Sequence, residues 1–96
     1  MEEVKFKLDE RKRGGFYIES DGKKVGEMVI GISETTLTVY HTEVDQEMEG
    51  KGFAKKMLDE MVGYAREKGL QVMPLCEYVL MQFRRHADEY EDIWKK

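Results

Sequence analysis

Apolar and polar residues alternate with period two up to Val44 and switch to a helical period at Phe53. Val4, Phe6 and Leu8 alternate with Lys5 and Lys7, the pattern of a strand with one face on a core and one in water. Asp9 to Gly15 is charged and ends in Gly14-Gly15, which predicts a turn; Phe16 and Ile18 then restart the alternation against Tyr17 and Glu19. Asp21-Gly22 predicts a tight hairpin, because glycine accepts the positive φ such turns demand. Val25 to Ile32 predicts a third strand and Thr35 to Val44, rich in β-branched residues, a fourth. The short connections between the four predict an antiparallel meander.

From Phe53 the apolar residues Phe53, Ala54, Met57, Leu58, Met61, Val62 and Ala65 form one helical stripe, with Lys55, Lys56, Asp59, Glu60 and Arg66 largely opposite. Gly69 is the predicted C-terminal cap, and Arg66 and Lys68 before it suit the negative end of the helix dipole. Leu70 to Leu75 reads as a short strand closed by Pro74. A strand-helix-strand order makes that strand parallel to the fourth, through a right-handed crossover. Glu77 to Arg85 predicts a second helix, and His86 to Lys96 a charged tail with Tyr90, Ile93 and Trp94 as anchors. The methionines at 57, 61, 73 and 81 fall on apolar faces and are expected in the core.

Composition narrows the function. The chain has 96 residues, of which 41% are hydrophobic and 38% charged, so one folded domain over residues 1–96 with a highly charged surface is expected. A net charge of -4 and a pI near 5.2 oppose general nucleic-acid binding, which needs a dense basic face. Cys76 is the single cysteine and has no disulfide partner within the chain, and Met1 is followed by Glu2 and Glu3 rather than a basic then apolar leader. A cytoplasmic protein, monomeric or weakly dimeric, is the expectation. No apolar run approaches the roughly 20 residues that span a bilayer.

The candidate chemistry collects between the fourth strand and the first helix. Gly50-Lys51-Gly52 stands between them, and such a turn aims backbone N–H groups and a helix N-terminus at a phosphate. A glycine turn that merely starts a helix is the bland reading. Lys51, with Lys55 or Lys56, can offset phosphate charge. Cys76 follows the parallel strand, where ligands of open sheets gather, although a lone cysteine is more often a small buried hydrophobe. His41, near the end of the fourth strand, suits proton transfer near pH 7, either from an amine or from Cys76. Glu43, Asp45, Glu47 and Glu49 crowd the same region; a solvated loop is the commoner meaning of such a run, attraction of a cationic amine the functional one.

Four antiparallel strands, a Gly-x-Gly turn, a helix, a parallel strand and a last helix resemble the core of the GCN5-related N-acetyltransferase superfamily. The likeness sharpens at His41-Thr42-Glu43-Val44, at Glu49-Gly50-Lys51-Gly52-Phe53-Ala54, and at Pro74-Leu75-Cys76-Glu77-Tyr78-Val79 with Arg84-Arg85-His86 beyond. These segments are similar to the small single-domain branch with a cysteine near the acetyl site. The resemblance implies an α/β (α+β) fold and acetyl-CoA held where the fourth and fifth strands splay apart, its pyrophosphate on Gly50, Lys51, Gly52, Phe53 and Ala54. It also implies that the donor runs along Thr42, Glu43 and Val44, that backbone amides around His41 to Val44 polarise the thioester carbonyl, and that Cys76 is a candidate catalytic cysteine. His41 and Tyr78 complete the expected catalytic set, Tyr78 being preferred over Tyr40, Tyr64 and Tyr90 as donor of a proton to the leaving CoA thiolate, although a tyrosine is more often a half-buried packing residue; no metal is expected. The superfamily pattern Gln/Arg-x-x-Gly-x-Gly/Ala has Glu47 at its first position here, and that carboxylate is expected to point away from a dianion. The two helices that usually precede the second strand have no counterpart, which leaves the acceptor side open. The expected function is transfer of acetyl from acetyl-CoA to a small amine or a protein amine, directly or through Cys76; a non-catalytic CoA-binding or protein-interaction module is the alternative.

Overall fold

The computed structural model describes residues 3–96; Met1 and Glu2, on which the leader argument and the start of the domain partly rest, lie outside the described residues. The chain runs β1 (Val4–Leu8), β2 (Arg13–Ser20), β3 (Lys23–Ser33), β4 (Thr36–Val44), a 3₁₀ turn (Gln46–Met48), α1 (Phe53–Lys68), β5 (Gln71–Pro74), α2 (Glu77–Arg85) and α3 (Ala87–Tyr90). The strands form one sheet in sequence order; the first four are antiparallel and β5 runs parallel to β4.

Period-two alternation puts Phe16, Ile18, Met28, Ile30, Leu37 and Val39 on one face of the sheet, where they meet Phe53, Met57, Leu58, Met61, Val62 and Ala65 of α1 and Val79 and Phe83 of α2 in a single buried cluster. The opposite face carries Lys5, Lys7, Arg13, Tyr17, Glu27, Val29, Thr38 and His41, none of them buried, so it stays open to solvent.

Two local expectations are corrected. Gly14-Gly15 lies inside β2 rather than in a turn, because a Cβ on either residue would collide with the carbonyl oxygen of Lys7 or of Met28 on the flanking strands. The turn itself is Asp9–Lys12, where the Asp9 carboxylate accepts the N–H groups of Arg11 (2.8 Å) and Arg13 (3.0 Å) and Lys12 takes a φ of 62°. Met81 is exposed, since it stands two residues on from Val79, on the far side of α2, and Met73 is only partly buried. Residues 86–96 are held by the anchors expected of them and begin with a short helix: Tyr90 stacks on Phe83 with ring centroids 4.7 Å apart and Ile93 is buried. Trp94 bridges Val72 along the outer edge of β5, and Arg66 holds the Asp92 carboxylate at 2.9 Å and the Glu89 carbonyl at 2.7 Å.

Two irregularities in β4 shape the molecule near the start of α1. Val29 pairs with His41 and Ile30 with Val39, so Tyr40 is the extra residue of a bulge. Beside β5, β4 is paired only from Thr36 to Val39; the N–H of Leu75 gives the last bond, to the Val39 carbonyl at 3.0 Å. From Tyr40 onward β4 leans on β3 alone, and the two parallel strands part.

Candidate active site

Where β4 and β5 separate, a cavity of about 630 Å³ opens between the end of β4, the 3₁₀ turn and the start of α1. Thr42, Glu43, Val44, Gly50, Gly52, Phe53, Ala54 and Tyr78 line it, with Met48, Glu49 and Lys55. Lys51 is exposed and does not line it. Gly50 and Gly52 have φ of 85° and 79°, the left-handed region that glycine enters without strain, and a Cβ on either would meet nothing within 4 Å.

The N-terminus of α1 is uncapped. Gly52 offers no side chain, the first intrahelical bond runs from the Lys56 N–H to the Gly52 carbonyl, and no acidic residue stands in the first turn. The N–H groups of Phe53, Ala54 and Lys55 therefore have no helical acceptor and sit at the positive end of the dipole, on the cavity wall. Lys55 pairs with Asp59 at 2.8 Å, and that bond raises its pKa. Glu47 faces away from the cavity, 3.7 Å from Lys23, which also stands 3.7 Å from Asp45.

Cys76, buried at the N-cap of α2, gives its thiol hydrogen to the Thr42 hydroxyl at 3.2 Å, a bond that crosses from the end of β5 to the parted segment of β4. Thr42 thus joins the cysteine to the cavity. His41 is the neighbour of Thr42 and so points to the other side of the sheet, exposed and 3.9 Å from Glu43. The expected proton transfer from Cys76 to His41 does not fit this arrangement, and only a role of His41 toward a molecule on the open face does. Tyr78 is partly buried on the cavity wall, and that burial pushes its phenol pKa up, so it keeps its proton across the neutral range.

A sequence profile described as GCN5-related N-acetyl-transferase matches residues 15–93, most of the sheet and all of the helices. The chain belongs to this family. Its structure is similar to that of a GCN5-like protein from Staphylococcus aureus solved by NMR, at 25% identity and TM-score 0.73 over 97% of this chain and 87% of that one. It also matches the ribosomal-protein-alanine N-acetyltransferase of Brucella melitensis biovar Abortus 2308, with 24% identity, TM-score 0.58, and 84% and 60% of the two chains covered. An aminoglycoside acetyltransferase from an uncultured soil metagenomic sample, solved with sisomicin, matches with 21% identity, TM-score 0.59, and coverage of 73% and 53%. At that level of identity these two show the fold alone. No curated protein is significantly similar to the chain in sequence.

In this GCN5-related N-acetyltransferase the candidate site consists of a strand gap, a glycine turn, an uncapped helix and a handful of polar side chains. Among the described residues no cluster of His, Cys, Asp and Glu could hold a metal, and no helix is long and apolar enough to cross a membrane. Glu49 and Lys55, both singled out in the sequence for their charge beside the glycine turn, line the cavity. Met48 had no signal, since it lies in an aperiodic stretch that forms a 3₁₀ turn.

Proposed function

We propose that this acetyltransferase takes acetyl-CoA as its donor and an amine as its acceptor, with the donor seated in the cavity between β4 and α1. The uncapped N-terminus of α1, opening into a cavity where β4 and β5 part, carries the reading. The N–H groups from Gly50 to Ala54 would hold the pyrophosphate, and the pantetheine arm would run along Thr42, Glu43 and Val44 into the gap.

The amine lone pair attacks the thioester carbonyl carbon, backbone N–H groups of β4 hold the developing oxyanion, and the C–S bond breaks to release CoA thiolate. His41, on the open face, takes the proton the amine gives up; Tyr78 supplies one to the thiolate. Direct attack is favoured over an acetyl-Cys76 intermediate, because no basic side chain hydrogen-bonds Cys76 among the described residues. Intact mass after incubation with acetyl-CoA is expected to show no acetyl adduct on Cys76, and a stoichiometric adduct would reverse that preference.

The test of the whole reading is CoA thiol release with an amine present, together with a Gly52→Glu variant whose fold is checked by circular dichroism. A carboxylate at the helix start, facing the pyrophosphate, is expected to abolish acetyl-CoA binding in a protein that stays folded. Undiminished binding by that variant, or no thiol release with any amine, contradicts the proposal.

A further inference from the structure

We infer that Arg11 and Arg13 form an oxyanion site on the open face of the sheet, holding a carboxylate or phosphate carried by the acceptor amine. The inference rests on the acetyl-transfer reading and names its acceptor class. Arg11 sits in the turn pinned by Asp9, and Arg13 starts β2 opposite Gly31, which in turn pairs with Thr38 of β4. Gly31 makes a bare floor: a Cβ there would stand 3.2 Å from the Tyr40 ring, 3.5 Å from its hydroxyl and 3.8 Å from Arg13 Cγ. The aromatic ring and the arginine stem thus approach each other over the glycine.

Arg11, Arg13, Ser33, Thr38 and Tyr40 line the concavity of about 240 Å³ above that floor. Its polar groups are two guanidinium forks and three hydroxyls, and no carboxylate lines it in a chain of net charge -4. Lys5, Lys23, Lys24, Lys55 and Arg66 all stand beside acidic side chains, whereas neither guanidinium has a hydrogen-bond or ion-pair partner among the described residues. Guanidinium forks match the two oxygens of a carboxylate or phosphate, and the space suits one such group rather than a nucleotide.

Position ties this site to the reaction. Tyr40 is the bulged residue where β4 leaves β5, His41 comes next on the same open face, and Thr42 faces the cavity behind. With a rise of about 3.3 Å per residue, Thr38 and Tyr40, where β4 parts from β5, lie roughly 7 Å apart along the strand. An acceptor with its oxyanion on the arginines and a spacer of about six bonds would bring its amine to the start of the gap, beside His41.

The experiment compares 6-aminohexanoate, 6-aminohexyl phosphate and hexylamine as acceptors, and measures their binding to the CoA-saturated protein by calorimetry, for the wild type and for Arg11→Ala/Arg13→Ala. At least one anionic amine is expected to have a KM and Kd lower than hexylamine by roughly tenfold or more, and the double variant to lose that preference while still binding acetyl-CoA. A larger preference for the carboxylate or for the phosphate identifies the anion. Equal use of hexylamine, or a preference that survives the double variant, overturns the arginine site and leaves acetyl transfer standing. Arginine-dependent binding of the anionic amines without transfer to any of the three keeps the site and counts against the transfer reading. Arginine-dependent binding of an acidic peptide, with none of the anionic amines, overturns the small-molecule assignment.

Discussion

Tyr78 and Gly52 carry the sharpest expectations for single residues. Burial holds the Tyr78 phenol protonated beyond the ordinary tyrosine range near pH 10, so its proton is available to a leaving thiolate at neutral pH. Tyr78→Phe is expected to lower kcat by about tenfold to a hundredfold with little change in acetyl-CoA affinity, an effect steady-state kinetics can read. An unchanged kcat removes Tyr78 from the chemistry. Cys76 and His41 show why site geometry was only half legible. Plain alternation from Leu37 and Val39 would have put His41 on the core face beside Cys76; the bulge at Tyr40 inverts the parity, sends Thr42 inward to the thiol and leaves His41 outside. A bulge has no composition of its own when its extra residue is an ordinary tyrosine.

Elements were easiest to read where periodicity and local chemistry agreed. β1, β3, β4 and α1 declare themselves by alternation and by a stripe with a glycine cap, and α2 spans the Glu77–Arg85 segment its pattern predicts. The ending of the chain was harder, because its order comes from distant partners: Val72 bridged to Trp94, and Arg66 paired with Asp92. The Arg66 hydrogen bond lowers the Asp92 pKa, so the stability it adds is present above the usual aspartate value near 4 and is lost as pH falls through the lower folded value. The pair is exposed, so Asp92→Asn is expected to cost less than about 1 kcal/mol at neutral pH, with added salt shrinking the difference. A cost of several kcal/mol in denaturant titration would show that the tail depends on this pair more than its exposure allows. The two open glycines of the α1 region separate helix propensity from turn geometry. Gly63, inside α1 with free space around its missing Cβ, is expected to gain about 0.5–1 kcal/mol on change to Ala. Gly52→Ala, at φ 79°, is expected to lose about 1–2 kcal/mol although its surroundings are equally open. Opposite signs for the two in one urea series check the backbone argument, and equal signs contradict it.

At the scale of the molecule, all buried apolar residues join one core on one side of a five-stranded sheet, and the other side is left to solvent. On the proposed function, donor and acceptor would reach the same strand gap from opposite sides: acetyl-CoA from the cavity at α1, an amine from the open face past His41. The most direct check of this arrangement is a titration of isotope-labelled protein with acetyl-CoA, read through amide NMR shifts. Saturable shifts are expected at Gly50, Gly52, Phe53 and Ala54 and along Thr42 to Val44, with the Arg13–Gly31–Thr38 row undisturbed. Shifts that map to the open face instead, or none at saturating acetyl-CoA, would contradict the account.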